Sequence, residues 1–193
     1  MKVIFLDIDG VLNCQDAYHK GECLYVKNEE TRHMAFYSES KRLLNQLIDL
    51  AGAKVVISST WRNSGLEWMK EVWKFEGMSG EIIGVTPNLW LHDRCKDYHY
   101  TIPRGCEIEA YLEKDLEFHH INWSKKLQQE YMNKSGIENY IIIDDDGDML
   151  YEQRNHFVHV LPSPRNTSGF NNLYYEKALW LLSKNVIELN YKD

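Results

Sequence analysis

Lys2-Val3-Ile4-Phe5-Leu6-Asp7-Ile8-Asp9-Gly10-Val11-Leu12-Asn13 is an apolar run that ends in two acids, a glycine and an asparagine. A short run that is apolar on both faces and closed by turn residues reads as a strand buried in a covered, parallel sheet. Carboxylates at i and i+2 then stand at its C-terminal end, the edge where open α/β sheets bind ligands. Asp7 and Asp9 can share a divalent cation there, and one can attack an electrophile while the other moves a proton. That combination suits phosphoryl transfer through an aspartyl-phosphate. A turn that uses Asp and Gly only for its geometry would carry the same short motif, so the reading depends on two further motifs downstream.

Two later strands end in polar clusters of the same kind. Lys54-Val55-Val56-Ile57 runs into Ser58-Ser59-Thr60-Trp61-Arg62, and Tyr140-Ile141-Ile142-Ile143 runs into Asp144-Asp145-Asp146-Gly147-Asp148. Between the first two strands the apolar spacing predicts a helix capped by Ser38, with Leu43, Leu44, Leu47, Ile48 and Ala51 on one face and Gly52 as its stop. A second helix carries Leu66, Met69, Val72 and Trp73 and stops near Gly77. Glu81 to Val85 reads as a strand, and a helix opening at Arg104-Gly105 carries Ile108, Tyr111 and Leu112. His156 to Val160 reads as a strand and Leu173 to Ser183 as a closing helix. The segment from Cys14 to Tyr37 shows no helical period and reads as an irregular loop or hairpin over the first strand end. Strands alternating with helices predict an α/β fold: a mostly parallel sheet with helices on both faces, its three polar strand ends converging on one edge.

The chain has 193 residues, 44% of them hydrophobic and 26% charged, ordinary proportions for a soluble globular protein. This predicts one domain over 1–193, with small insertions near 14–37, 88–103 and 113–133. No apolar stretch reaches membrane-spanning length and no signal-peptide pattern opens the chain, so the expected location is cytoplasmic, without a membrane partner. The formal net charge of -7 argues against an extended nonspecific DNA-binding face. Cys14, His19, Cys23 and His33, and likewise His92, Cys95, His99 and Cys106, lie close in sequence but lack the paired spacing of structural zinc sites. Loop and core roles are the better reading of both sets.

The order DIDGVLN, SSTWR, a basic residue and DDDGD resembles the haloacid dehalogenase (HAD) superfamily of phosphohydrolases. SSTWR, RGCEIEAYL, IIIDDDGDM and the late Gly169-Phe170-Asn171-Asn172 resemble more narrowly the HAD domains of Swiss Army Knife RNA-repair proteins. The resemblance implies a three-layer Rossmann-like HAD fold with a minimal cap, since the segments after the first and second motifs are short. It implies Asp7 as nucleophile and Asp9 as general acid and base, with a metal contact through the Asp9 main-chain carbonyl. It also implies Ser58 as the phosphate-binding hydroxyl, with Ser59 and Thr60 as neighbouring candidates. Arg104 is the basic residue at the head of its helix, ahead of Lys114, Lys125 and Lys126.

In the same resemblance, Asp145 completes the metal shell and Asp144 lies beside it, around Mg2+. Asp148 is either an outer ligand or a helix cap. Arg62 either reaches the substrate phosphate or base, or sits on the surface. Trp61, Trp90 and Trp123 either stack on bases or pack locally, and packing is preferred. The implied activity is Mg2+-dependent hydrolysis of phosphomonoesters, with nucleotide or RNA ends as substrates. A generic small-molecule phosphatase or nucleotidase, and an idle module that binds phosphorylated partners, are the alternatives.

Overall fold

The computed structural model describes residues 1–22, 24–27, 31–89, 102–113, 136–161 and 164–184. Trp90, His92, Cys95, His99, Lys114, Trp123, Lys125, Lys126 and Cys23 lie outside the described residues, as do most of the 88–103 and 113–133 insertions.

Five strands form one sheet: β1 (Lys2–Leu6), β4 (Ala53–Ile57), β5 (Ile82–Val85), β6 (Asn139–Asp144) and β7 (Phe157–His159). Their spatial order is β5-β4-β1-β6-β7, and every pairing is parallel. A separate antiparallel hairpin, β2 (Tyr25–Lys27) with β3 (Arg32–Met34), and a short helix α1 (Gln15–His19) occupy the segment after β1. The longer helices are α2 (Ser38–Ala51), α3 (Leu66–Phe75), α4 (Arg104–Glu113) and α5 (Asn172–Ser183).

The β1 side chains alternate between two cores. Ile4 and Leu6 join Val55, Ile57, Ile141 and Ile143 under α2, α3 and α5. Val3 and Phe5 join Val56 and Ile142 under α4, with Ile108, Tyr111 and Leu112 facing them. A strand covered on both faces has no polar face to show, which is why these strands read as unbroken apolar runs. Helix α2 buries Leu43, Leu44, Leu47 and Ile48, a one-sided stripe at helical spacing. It ends at Gly52, whose φ of 62° is left-handed and whose N–H donates to the Ile48 carbonyl. Its start differs from expectation: Ser38 is the first helical residue and Tyr37 the cap, and the Ser38 N–H is met by Glu22 Oε2 at 3.0 Å. A carboxylate from an earlier segment thus does the capping expected of the serine.

The winding runs from β1 outward to β4 and β5, then returns across β1 to β6 and β7. The direction of winding reverses at β1, which opens a crevice outside its C-terminal end. Register decides what lines that crevice. Leu6 is level with Ile57 on one side and Ile143 on the other, so the next residues, Asp7, Ser58 and Asp144, come to one edge together. Backbone bonds extend the ladder past the strand ends: Asp7 N–H donates to Ile143 O at 2.9 Å, and Ser58 N–H to Leu6 O at 2.8 Å.

Candidate active site

Asp7 continues β1 and is 6% exposed; Asp144 ends β6 and is 2% exposed. With half-buried Asp145 they form a group of three carboxylates whose nearest oxygens all lie within 4.8 Å of one another. Gly10 makes this approach possible. Its φ of 78° turns the chain sharply after Asp9, and a Cβ there would overlap the Asp145 carboxyl, with even the farther oxygen only 2.9 Å away. A glycine in this position therefore answers both a backbone conformation and a close contact.

So much negative charge in so little water displaces the titrations. Burial, above all, pushes the Asp7 carboxyl up to about 7; Arg104 and a hydrogen bond from the Ser59 hydroxyl oppose the shift, while Asp145 and Asp9 add to it. Burial and then the charge of Asp7 push Asp144 up to about 8. Asp145 is raised too, by burial first and then by Asp146. Asp144 Oδ1 accepts from Asp146 N–H at 2.9 Å, whereas its buried Oδ2 has no hydrogen-bond partner among the described residues. Hard carboxylate oxygens in close approach, one of them buried without a donor, fit a divalent cation such as Mg2+.

Arg104 stands at the head of α4. Its Nε lies 3.8 Å from Asp144 Oδ2 and its Nη1 3.3 Å from Glu107 Oε2. The helix N-terminus around it is capped from outside, because Asp148 Oδ2 accepts from the Arg104 N–H at 2.8 Å. Asp148 is therefore a helix cap, but for α4, whose opening lies more than forty residues earlier in the chain. Two carboxylates explain why a cation sits where the helix dipole alone would disfavour it.

The Ser58–Arg62 turn arrives differently from expectation. Ser58 is fully buried and its Oγ has no hydrogen-bond partner among the described residues. Ser59, one residue on, is the hydroxyl near enough to Asp7 to favour its ionised form. It also caps the short 3-10 turn Thr60–Ser64, accepting from Trp61 N–H at 3.5 Å. The surface reading of Arg62 is corrected: it is 8% exposed. Its Nη2 lies 2.6 Å from Glu107 Oε2 and its Nη1 donates to Ser59 O at 2.8 Å. Glu107 thus joins Arg62 and Arg104, and its other oxygen accepts from Leu89 N–H at 3.2 Å. Sequence reasoning missed Glu107. A Glu one helical turn after Arg104 was the available signal, since i and i+3 share a face.

Asp9 is exposed, and its carboxylate lies outside the group of three. The carboxylates that approach Asp7 most closely are those of Asp144 and Asp145 rather than that of its motif partner. Asp9 Oδ1 accepts from Asn13 Nδ2 at 3.2 Å and its Oδ2 from Trp61 Nε1 at 3.0 Å. The late glycine has a structural place as well. Gly169, at φ 60°, packs against the Val11 carbonyl, and Phe170 N–H donates to Val11 O at 2.9 Å, bracing the loop that follows Asp9.

A family model described as the HAD domain in Swiss Army Knife RNA repair proteins matches residues 3–164. The chain belongs to that family. Its membership brings HAD-type phosphohydrolase chemistry as the general class, and the parallel Rossmann-like sheet agrees with it. The matched span contains Asp7, Asp9, Ser58, Ser59, Arg62, Arg104, Asp144 and Asp145. None of the curated proteins matches the chain. Among the described residues, no helix is long and apolar enough to cross a membrane.

Of the two cysteine–histidine sets, His33 is buried against Glu76, with Nε2 and Oε1 2.9 Å apart, and neither Cys14 nor Cys106 forms a disulfide among the described residues.

Proposed function

We propose that the chain is a Mg2+-dependent phosphatase that hydrolyses phosphomonoesters through an aspartyl-phosphate on Asp7, acting on nucleotide or RNA ends. The observation that carries this reading is the burial of Asp7 beside Asp144 and Asp145 at the mouth of the crevice. Bound Mg2+ would be held by Asp7, Asp144, Asp145 and the Asp9 carbonyl, and would screen the repulsion between an anionic nucleophile and an anionic phosphate.

The Asp7 carboxylate attacks phosphorus as the bond to the leaving oxygen breaks. Ser59 and Arg104 favour its ionised form and oppose the burial that raises its pKa. Asp9 gives its proton to the leaving oxygen, releasing the alcohol, and then takes a proton from the water that attacks the phospho-aspartate. The second step frees phosphate and restores the Asp7 carboxylate, so one ester and one water become one alcohol and one phosphate. Arg104 faces the nonbridging oxygens with a planar guanidinium suited to them. Ser59 takes the phosphate-binding role in preference to Ser58, because its hydroxyl favours the ionised nucleophile. Arg62 acts from behind, holding the Ser59 carbonyl. Membership of a family of RNA repair domains supports the assignment to RNA ends.

Phosphate release from p-nitrophenyl phosphate, with and without Mg2+, is the first test. Turnover that needs Mg2+ and disappears in Asp7→Asn is expected. Absence of turnover in the wild type, or unchanged turnover in the variant, would sink the proposal and favour a phosphate-binding module. Competition by end-phosphorylated RNAs and by mononucleotides against the aryl substrate then tests the substrate class.

A further inference from the structure

The Ser58–Arg62 turn does more than present a hydroxyl to Asp7. Its Trp61 indole is boxed by three rings: Phe36 at 5.8 Å, Trp68 at 5.9 Å and His33 at 6.1 Å between centroids. His33 is itself fixed by the buried Glu76 carboxylate, whose second oxygen lies 3.0 Å from Lys41 Nζ. The walls come from the β3 strand, the segment before α2, and α3, so the indole plane is set by three separate parts of the chain. From this box the ring sends its one polar atom outward, and Nε1 donates to Asp9 Oδ2 at 3.0 Å. Asn13 Nδ2 holds the other carboxylate oxygen at 3.2 Å. An exposed aspartate on a turn would ordinarily sample several rotamers. Here both of its oxygens are occupied by donors whose own positions are fixed by packing.

We propose that Trp61 is a positioning residue for the proton-transfer step, its indole N–H holding the Asp9 carboxyl in the orientation that serves the leaving oxygen. This role rests on the phosphatase reading. It builds on the packing reading of Trp61: the ring packs so that its N–H can orient a catalytic acid. One five-residue turn thereby serves both aspartates of the first motif, with Ser59 on Asp7 and Trp61 on Asp9. In the first step the Asp9 proton passes to the ester oxygen as its bond to phosphorus breaks and the bond to Asp7 forms. In the second, Asp9 takes a proton from water as the bond to Asp7 breaks. An oriented carboxyl matters most where the leaving oxygen is basic, since a good leaving group departs without a proton.

Trp61→Phe keeps the ring in its box and removes only the N–H. The test compares turnover of p-nitrophenyl phosphate with that of a phenethyl phosphate, an alkyl ester, by the full chain. The expected result is a fall in kcat for the alkyl ester about ten-fold larger than for the aryl ester, with KM for both nearly unchanged. A mere packing defect would lower both in proportion, and equal losses or no loss in an active enzyme overturn the inference alone. A wild type that turns over neither ester overturns the inference and the phosphatase reading together.

A second arm is independent of the fate of that variant. The Trp61 indole N–H resonance in the wild type, assigned through its backbone, should shift upfield and exchange faster in Asp9→Ala, which alters an exposed residue. An unchanged resonance means that the indole does not hold Asp9, and the proposal fails even if Trp61→Phe does not fold.

Discussion

Replacing Gly10 by Ala puts one methyl group into the tightest contact of the site. The added Cβ would fall inside the Asp145 carboxyl, with the farther oxygen at 2.9 Å, where ordinary contacts begin at 3.4 Å. To clear it the carboxyl must retreat by on the order of 1 Å, a displacement that in a positioned site lowers rate about 100-fold. The backbone adds a separate penalty, because a φ of 78° is left-handed and disfavours alanine by about 1–2 kcal/mol. Two readouts separate the two effects. Mg2+-dependent turnover of an aryl phosphate should fall about 100-fold with weaker Mg2+ activation, and urea unfolding should show a loss of about 1–3 kcal/mol.

Pairing the change with Asp145→Ala isolates the clash. The stability loss from Gly10→Ala should shrink toward the backbone share once the carboxyl is gone, a non-additivity expected only of residues in contact. Activity, already lost with the ligand, should not recover. If Gly10→Ala retained wild-type Mg2+ activation, or if its stability loss were the same in both backgrounds, then Asp145 does not pack on Gly10 and the assembly of the site is misconceived.

Stability without metal should fall as pH rises. The folded pKa values of Asp7 and Asp144 stand near 7 and 8, above the ordinary 3.8. The stability they contribute is therefore complete below pH 3.8 and is lost as pH rises through the folded values. Thermal melting in chelator should show the midpoint dropping between pH 5 and 8, by up to about 1.4 kcal/mol per pH unit for each proton held, and Mg2+ should restore it most at the alkaline end. A flat profile would show that the two carboxyls are not crowded. Ser59→Ala should reduce turnover at least about ten-fold, while Ser58→Ala, which removes a buried hydroxyl without a partner, should leave activity near wild type and raise stability by about 1 kcal/mol. The reverse order would restore Ser58 to the phosphate. Glu107→Ala strands Arg62 inside the protein and should destabilise it by about 3–5 kcal/mol in urea unfolding, whereas the double change Arg62→Met, Glu107→Leu should recover most of that. No recovery would mean that the pair is not the source of the loss.

The parts of the fold that were legible are those that periodicity reports. Buried strands write themselves as apolar runs, and one-sided helices as stripes such as Leu43, Leu44, Leu47 and Ile48, because burial of a face is a local constraint repeated along the chain. Hence the strand ends, the helices between strands, and the gathering of DIDG, SSTWR and DDDGD on one edge could be read without coordinates. Helix α1 was not, since an element this short carries too few turns to show a period, and the β2–β3 hairpin was read only as one of two options for its segment. The cap of α2 was misassigned because its acceptor, Glu22, comes from outside the helix.

Within the site, the amino-acid sequence determined which chemical groups are present and that they meet: strand register carries Asp7, Ser58 and Asp144 to the same edge wherever these strands lie side by side. Only the tertiary structure decided who touches whom. Ser59 rather than Ser58 acts on the charge of Asp7, Arg62 turns inward to Glu107, and the Asp9 carboxylate pairs with Trp61, fifty-two residues away. Each of these choices depends on the direction of a turn past the end of a strand, and that direction is set by packing partners from remote segments. No spacing along the chain encodes it.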